Sequence, residues 1–413
     1  MNRKSLGIYI HIPFCMQKCL YCDFVSGPAS DEIKRNYVNY LLKEIEVCIY
    51  GNKSGSEYIV DTIFIGGGTP SVLEADCIEE ILCKLKEKFE ISEDCECTIE
   101  VNPGTVDSDK MEKYRETGIN RLSIGLQSCN DNELKNLGRI HNFKDFEDMF
   151  QSARTAGFEN INVDLMSSIP GQTEESFIRS LKRVIGLNPE HLSVYSLIVE
   201  EGTPFYEMDL NLPDEDTERQ IYYKTGEILK EHGYGQYEIS NYAKPGKECK
   251  HNIRYWQCDE YIGFGVAAAS YYNGVRWKNT EDINFYIKYM QGVDCSADKQ
   301  CAGNTNDAHC AENSNTGQGI ENTGIIQHNE FYSEKETLTT EEQCAEFMFM
   351  GLRMNKGVST GEFYKRFSTT PHEKYGEVIT KHIQNGLLVK EEDYIRLTDK
   401  GRDVCNFVMA DFL

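Results

Sequence analysis

The segment CMQKCLYC places thiols at Cys15, Cys19 and Cys22, separated by three and then two residues. Three thiolates on one short loop can each take one iron of a cubane cluster. The fourth iron is then free for the amine and carboxylate of a small molecule. A zinc site, which would want a fourth ligand, and a chance grouping are the other readings of such a trio. The apolar run GIYIHIP (7–13), just before the thiols, reads as the strand that presents them.

That strand opens a rhythm. Apolar runs recur at TIFIGGG (62–68), TIEVN (98–102), RLSIGLQ (121–127), INVDLM (161–166) and HLSVYSLIV (191–199). Their Ile, Val and Leu content is that of strands covered on both faces. Amphipathic segments such as NYVNYLLKEIEVCIY, CIEEILCKLKEKF and FEDMFQSARTAG lie between them, the last closed by Gly157. Strand–helix alternation predicts parallel strands with right-handed crossovers, an α/β partial (β/α)6 TIM-like barrel. Chemistry in such folds sits where strands end. A barrel over 1–244 is expected, with a long helix at 214–234. A smaller α+β C-terminal domain is expected over 245–293 and 331–413. Its helices precede LLVKEEDYIRLTDKG, a hairpin around an acidic turn, which predicts a winged-helix-like unit. Residues 294–330, rich in Asn, Gly, Ala and Ser, read as a low-complexity surface insertion. Its Cys295, Cys301, His309 and Cys310 are either metal ligands or scattered loop thiols.

The 413 residues carry a net charge of −24, which repels phosphates and gives no support for a nucleic-acid partner. Sixteen cysteines would suit a secreted disulfide protein. The opening MNRKSLGIYIHIPFC lacks a signal-peptide pattern, however, and no run is long enough to span a membrane. A cytoplasmic chain using its thiols for metal chemistry is the expectation.

Several polar or glycine positions fall at strand ends. GGGTPS (66–71) lets backbone approach a ligand closely, or is simply a turn. Glu100, Gln127 and Asp164 suit hydroxyls and an ammonium of a ligand. Each alone also reads as a polar group satisfying the barrel. Arg139 could pair with a carboxylate.

The cysteine spacing after a first strand resembles the radical S-adenosylmethionine superfamily. IYIHIPFCMQKCLYCDF is similar to the branch containing oxygen-independent coproporphyrinogen III oxidases and their heme-chaperone relatives. The resemblance spans nearly the whole chain outside 294–330. It implies a [4Fe–4S] cluster on Cys15, Cys19 and Cys22, and S-adenosylmethionine on the open iron as a radical source. It places Tyr9, Gly67, Gly68, Thr69, Glu100, Gln127, Arg139, Asp164, Ile198 and Ala269 at cofactor positions. HNIRYW (251–256) is similar to the chaperone branch's HNxxYW heme motif, implying His251 as axial ligand with Tyr255 and Trp256 against the porphyrin. The alternative is a structural turn.

Phe24 stands where the oxidases carry a fourth cysteine, and the first cysteine arrives by position 15, both features of the chaperone branch. Ser167 and Ser168 replace a usual aromatic and glycine, and Ala269 a usual histidine. The resemblance thus implies a chaperone that binds heme and passes it to an acceptor protein. Homodimers and peripheral contact with membrane heme proteins come with it. Radical decarboxylation of coproporphyrinogen III is the alternative.

Overall fold

The computed structural model describes residues 3–48, 57–293 and 329–413. Parallel strands β1 (Lys4–Ile12), β2 (Tyr58–Gly67), β3 (Ile91–Val101), β4 (Arg121–Gln127), β5 (Ile161–Ser167) and β6 (His191–Ser196) stand side by side in chain order. Helices α1 (Asp31–Val47), α2 (Ala75–Lys88), α3 (Ser108–Thr117), α4 (Asp131–Asn136), α5 (Phe143–Thr155) and α6 (Glu174–Gly186) form the crossovers, and α7 (Glu215–Glu231) follows β6. This is the partial barrel that the strand–helix rhythm predicts.

The local chemistry explains the elements. Every residue of β4 is buried, as a strand covered on both faces requires. Ile8, Ile10 and Ile12 alternate along β1 with no exposed surface and join the main core. Burying each contributes roughly 1.5–3 kcal/mol. The Ser30 side chain caps α1, and Thr173 with Ser176 forms a capping box on α6.

The sheet does not stop at residue 244. Strands β7 (Gly235–Gln236) and β8 (Asn241–Ala243) extend it past β6. Helix α8 (Lys250–Trp256) leads into β9 (Tyr261–Phe264), which pairs parallel to the other edge, β1. Then β10 (Ala269–Tyr272) and β11 (Val275–Asn279) follow, helix α9 (Ile283–Gly292) intervenes, and β12 (Tyr332–Thr337) completes twelve strands. The boundary expected at 244/245 therefore falls inside the sheet: an open β1 edge takes a partner, and the polar, aromatic start of that region hides it. Residues 294–328, with Cys295, Cys301, His309 and Cys310, lie outside the described residues.

A separate core begins later. Helix α10 (Thr340–Gly351), β13 (Val358–Ser359), α11 (Thr360–Phe367), α12 (Pro371–Gln384), β14 (Leu388–Glu391), β15 (Tyr394–Leu397), α13 (Asp399–Asp403) and α14 (Cys405–Ala410) pack around Met348, Phe363, Ile379 and Ile395. The three strands form an antiparallel sheet in the order β13-β15-β14, a winged-helix-like arrangement, with Glu392 left-handed (φ 49) in the acidic turn. Among the described residues no helix is long and apolar enough to cross a membrane.

Candidate functional site

The C-terminal ends of the barrel strands open into a cleft of about 960 Å³, open mouth included. Cys15, Cys19 and Cys22 lie along its wall on the loop after β1. The loop's stem is closed by backbone: Cys15 N–H donates to Gly27 O (3.0 Å) and Gly27 N–H to Pro13 O (3.1 Å). Its tip is pinned by Leu20 N–H to Leu137 O (3.2 Å) and by Phe205 N–H to Leu20 O (3.0 Å). Leu20 and Tyr21 rest on a small apolar cluster of Leu137, Met166, Ile169 and Phe205.

Thr69 donates to Cys15 Sγ (3.4 Å), and Arg139 Nη1 donates to Cys19 Sγ (3.6 Å). Gly68 passes so close to the loop that a Cβ there would lie 2.9 Å from Cys15 Sγ and 2.7 Å from Phe14 O. The thirteen described cysteines are all free thiols. No group of three His, Cys, Asp or Glu among the described residues converges on a single ion. A cubane asks less convergence, since each thiolate meets its own iron. The thiol trio fits an iron–sulfur cluster, each of three irons taking one sulfur.

Opposite the thiols stand acids and amides. Glu100 accepts from Gly67 N–H (3.1 Å), and burial, then the charge of Asp164, pushes its carboxyl up to about 8. Burial likewise raises Asp164, which accepts from Asn162 Nδ2 (2.7 Å). Gln127, left-handed at φ 73 where β4 bulges, accepts from the Tyr195 hydroxyl (3.1 Å). The Arg139 guanidinium is also held by Asn102 (2.7 Å) and by the Gly125 carbonyl. A concave site with surplus acceptors, one cation and a thiol trio suits a small zwitterion with a polar sugar beside a cluster.

Of the expected cofactor residues, Gly67, Gly68, Thr69, Glu100, Gln127, Arg139 and Asp164 line the cleft. Tyr9 stands behind it. Its hydroxyl donates to His11 Nδ1 (3.0 Å), and His11 Nε2 reaches Val25 O (3.1 Å) on the cysteine loop. Ile198 and Ala269 are not brought there. Ile198 is 69% exposed beyond β6, and Ala269 starts β10, on the far side of β9 from β1.

The HNIRYW helix is elsewhere. α8 closes the barrel at the N-terminal ends of the strands. Glu96 of β3 accepts from the backbone of Lys250 (3.2 Å) and His251 (3.2 Å). His251 is 1% exposed; Nδ1 bonds Thr62 Oγ1 (2.9 Å), Nε2 bonds the Tyr255 hydroxyl (2.8 Å), and its ring stacks on Phe64. Burial, then the charges of Arg254 and Arg121, lowers its pKa to about 3. Neither ring nitrogen is free for a metal in this conformation. Outside, Arg353 of the winged-helix-like unit covers the Trp256 ring (4.5 Å), and Arg366 donates to Gln257 O (2.9 Å) and Cys258 O (3.0 Å).

Comparison with known proteins fits this layout. Residues 9–184 match the Radical SAM superfamily and residues 338–404 the HemN C-terminal domain. The heme chaperone HemW of Bacillus subtilis (strain 168) is 35% identical over 410 residues, covering 98% of both chains. The HemW of Lactococcus lactis is 34% identical over 417 residues, covering 100% of this chain and 98% of its own. The chain belongs to the HemW family. The structure of coproporphyrinogen III oxidase (HemN) from Escherichia coli, a radical SAM enzyme, superposes with a TM-score of 0.79 at 22% identity. It covers 100% of this chain and 91% of its own, a likeness of fold.

Within this HemW-family cleft the strand-end reasoning overlooked Asn102, Ser123 and Tyr195. Asn102 precedes a proline and reads as a turn residue; Ser123 and Tyr195 lie in strands whose inward face the alternation does not mark. Ser168 adopts φ 59, a left-handed backbone that favours glycine, and its buried hydroxyl has no partner among the described residues.

Proposed function

We propose that the protein binds heme and delivers it to an acceptor protein, and that it carries a [4Fe–4S] cluster on Cys15, Cys19 and Cys22 with S-adenosylmethionine in the adjoining cleft. The observation that carries this reading is end-to-end similarity to heme chaperones at 34–35% identity. The exposed Phe24 at the position of the oxidases' fourth cysteine supports it. When bound, the cluster would supply one electron beside the sulfonium. Glu100, Gln127 and Asp164 would accept hydrogen bonds from the ribose and ammonium, and Arg139 would pair with the carboxylate.

Heme ligation by His251 would require α8 to leave its seat. Its Nε2 must part from the Tyr255 hydroxyl, and the grip of Arg366 on the end of the helix must loosen. Heme binding by this route would therefore be slower than encounter, and would draw the winged-helix-like unit away from the barrel.

Anaerobic reconstitution followed by heme titration of wild type and His251→Ala tests the reading. A Soret band in wild type that is lost in the variant supports both chaperone and ligand. Equal binding moves the heme site away from α8, and no Soret band in either rejects the chaperone. Vinyl product from coproporphyrinogen III with S-adenosylmethionine and a reductant would establish the oxidase in its place. Dimerisation and contact with membrane heme proteins belong to the same proposal; sedimentation with and without heme tests the first and vesicle co-flotation the second.

A further inference from the structure

Two of the three cluster-loop thiols are joined by one hydrogen-bonded chain, and Asn102 is its centre. Arg139 Nη2 donates to Asn102 Oδ1 (2.7 Å), and Asn102 Nδ2 donates to Thr69 Oγ1 (2.8 Å). Thr69 Oγ1 donates to Cys15 Sγ (3.4 Å), and Arg139 Nη1 donates to Cys19 Sγ (3.6 Å). The polarity of the chain is forced. A guanidinium only donates, so the carboxamide oxygen must face Arg139 and the amide nitrogen must face Thr69. The Thr69 hydroxyl then accepts from Asn102 and spends its single proton on Cys15. Aspartate would offer two acceptors and turn that proton away from the sulfur.

The site is shaped around this residue. A Cβ at position 125 would lie 2.5 Å from Asn102 Oδ1, so Gly125 leaves the space the carboxamide occupies. Cys22 takes its hydrogen bond from the backbone at Phe24 and is independent of the chain.

We propose that Asn102 is a positioning residue that aims donors at Cys15 and Cys19 and thereby raises the reduction potential of the cluster they hold. This rests on the cluster reading given above. Donors to ligand sulfurs stabilise the more negative, reduced cluster, and partners behind the ligands tune a metal centre in this way. Asn102 touches neither sulfur and acts through Thr69 and Arg139.

The test is spectroelectrochemical titration of reconstituted wild type, Asn102→Ala, Thr69→Val and the double variant. Asn102→Ala is expected to disfavour reduction about tenfold, a shift of about 59 mV to lower potential for one electron. Thr69→Val is expected to shift it less, and the double variant to match Asn102→Ala alone, because both act on one chain. A wild-type potential in Asn102→Ala, or shifts that simply add, would overturn the proposal. Should Asn102→Ala fail to hold a cluster, Thr69→Val decides: an unchanged potential there is equally fatal. A cluster that persists with Cys15, Cys19 and Cys22 all replaced would remove the underlying reading, and the proposal with it.

Discussion

The two ends of the barrel are built from similar residues to opposite effect. At the strands' C-terminal ends, Glu100, Asp164, Gln127 and Arg139 border open space and keep hydrogen-bonding capacity in hand. At the N-terminal ends, Glu96, His251, Thr62 and Arg254 meet each other through α8, and both His251 nitrogens are taken. Polarity alone does not mark a ligand site; unspent polarity beside a void does. The mouth should therefore answer to ligands and the floor to denaturants.

The sharpest way to break that contrast is at the thiols. Cys15→Ser, Cys19→Ser or Cys22→Ser is expected to abolish the iron–sulfur chromophore and iron content after reconstitution. The urea midpoint of the metal-free chain should stay near wild type. Unfolding of the metal-free serine variants would make the thiols structural.

At the floor, His251→Ala leaves the Tyr255 hydroxyl and a cavity behind, and is expected to cost about 2–4 kcal/mol of stability in urea denaturation. A cost near zero would mean that α8 is not seated as described.

Back at the mouth, Arg139→Lys keeps the charge but loses the planar fork. Calorimetry should show S-adenosylmethionine binding weakened roughly ten- to a hundredfold, the worth of a charged hydrogen bond. Unchanged affinity would remove Arg139 from the carboxylate.

The remaining test concerns pH. Glu100 is raised from its ordinary 4.5 to about 8, by burial and then by Asp164. A carboxyl raised on folding stabilises while protonated. Its contribution is complete below about 4.5 and lost as pH climbs through about 8. The ligand-free wild type should therefore melt lower at pH 8 than at pH 5.5 on account of this group, and Glu100→Gln should flatten that slope. An identical slope in the variant would place the titration elsewhere.

Much of the mouth was legible in the chain. Apolar runs locate the parallel strands, RLSIGLQ (121–127) with the bounds of β4, and polar residues at their ends meet in one cleft. The floor was not. HNIRYW spans fewer than two helical turns, too short for periodicity to say what faces it. Whether a histidine there is bonded or free depends on Thr62 and Tyr255, the first of them 189 positions distant. Strands β9 to β12 escaped notice because they are short and carry aromatics and charges, as sheet extensions at an edge do. Ile198 and Ala269 came from resemblance alone, and neither reaches the cleft.

The cysteine loop closes on main-chain bonds at Phe14 and Gly27 and is anchored at its tip by Leu20. Its conformational entropy is thus surrendered during folding of the polypeptide. If the loop holds the cluster proposed above, maturation would be a delivery into a finished socket.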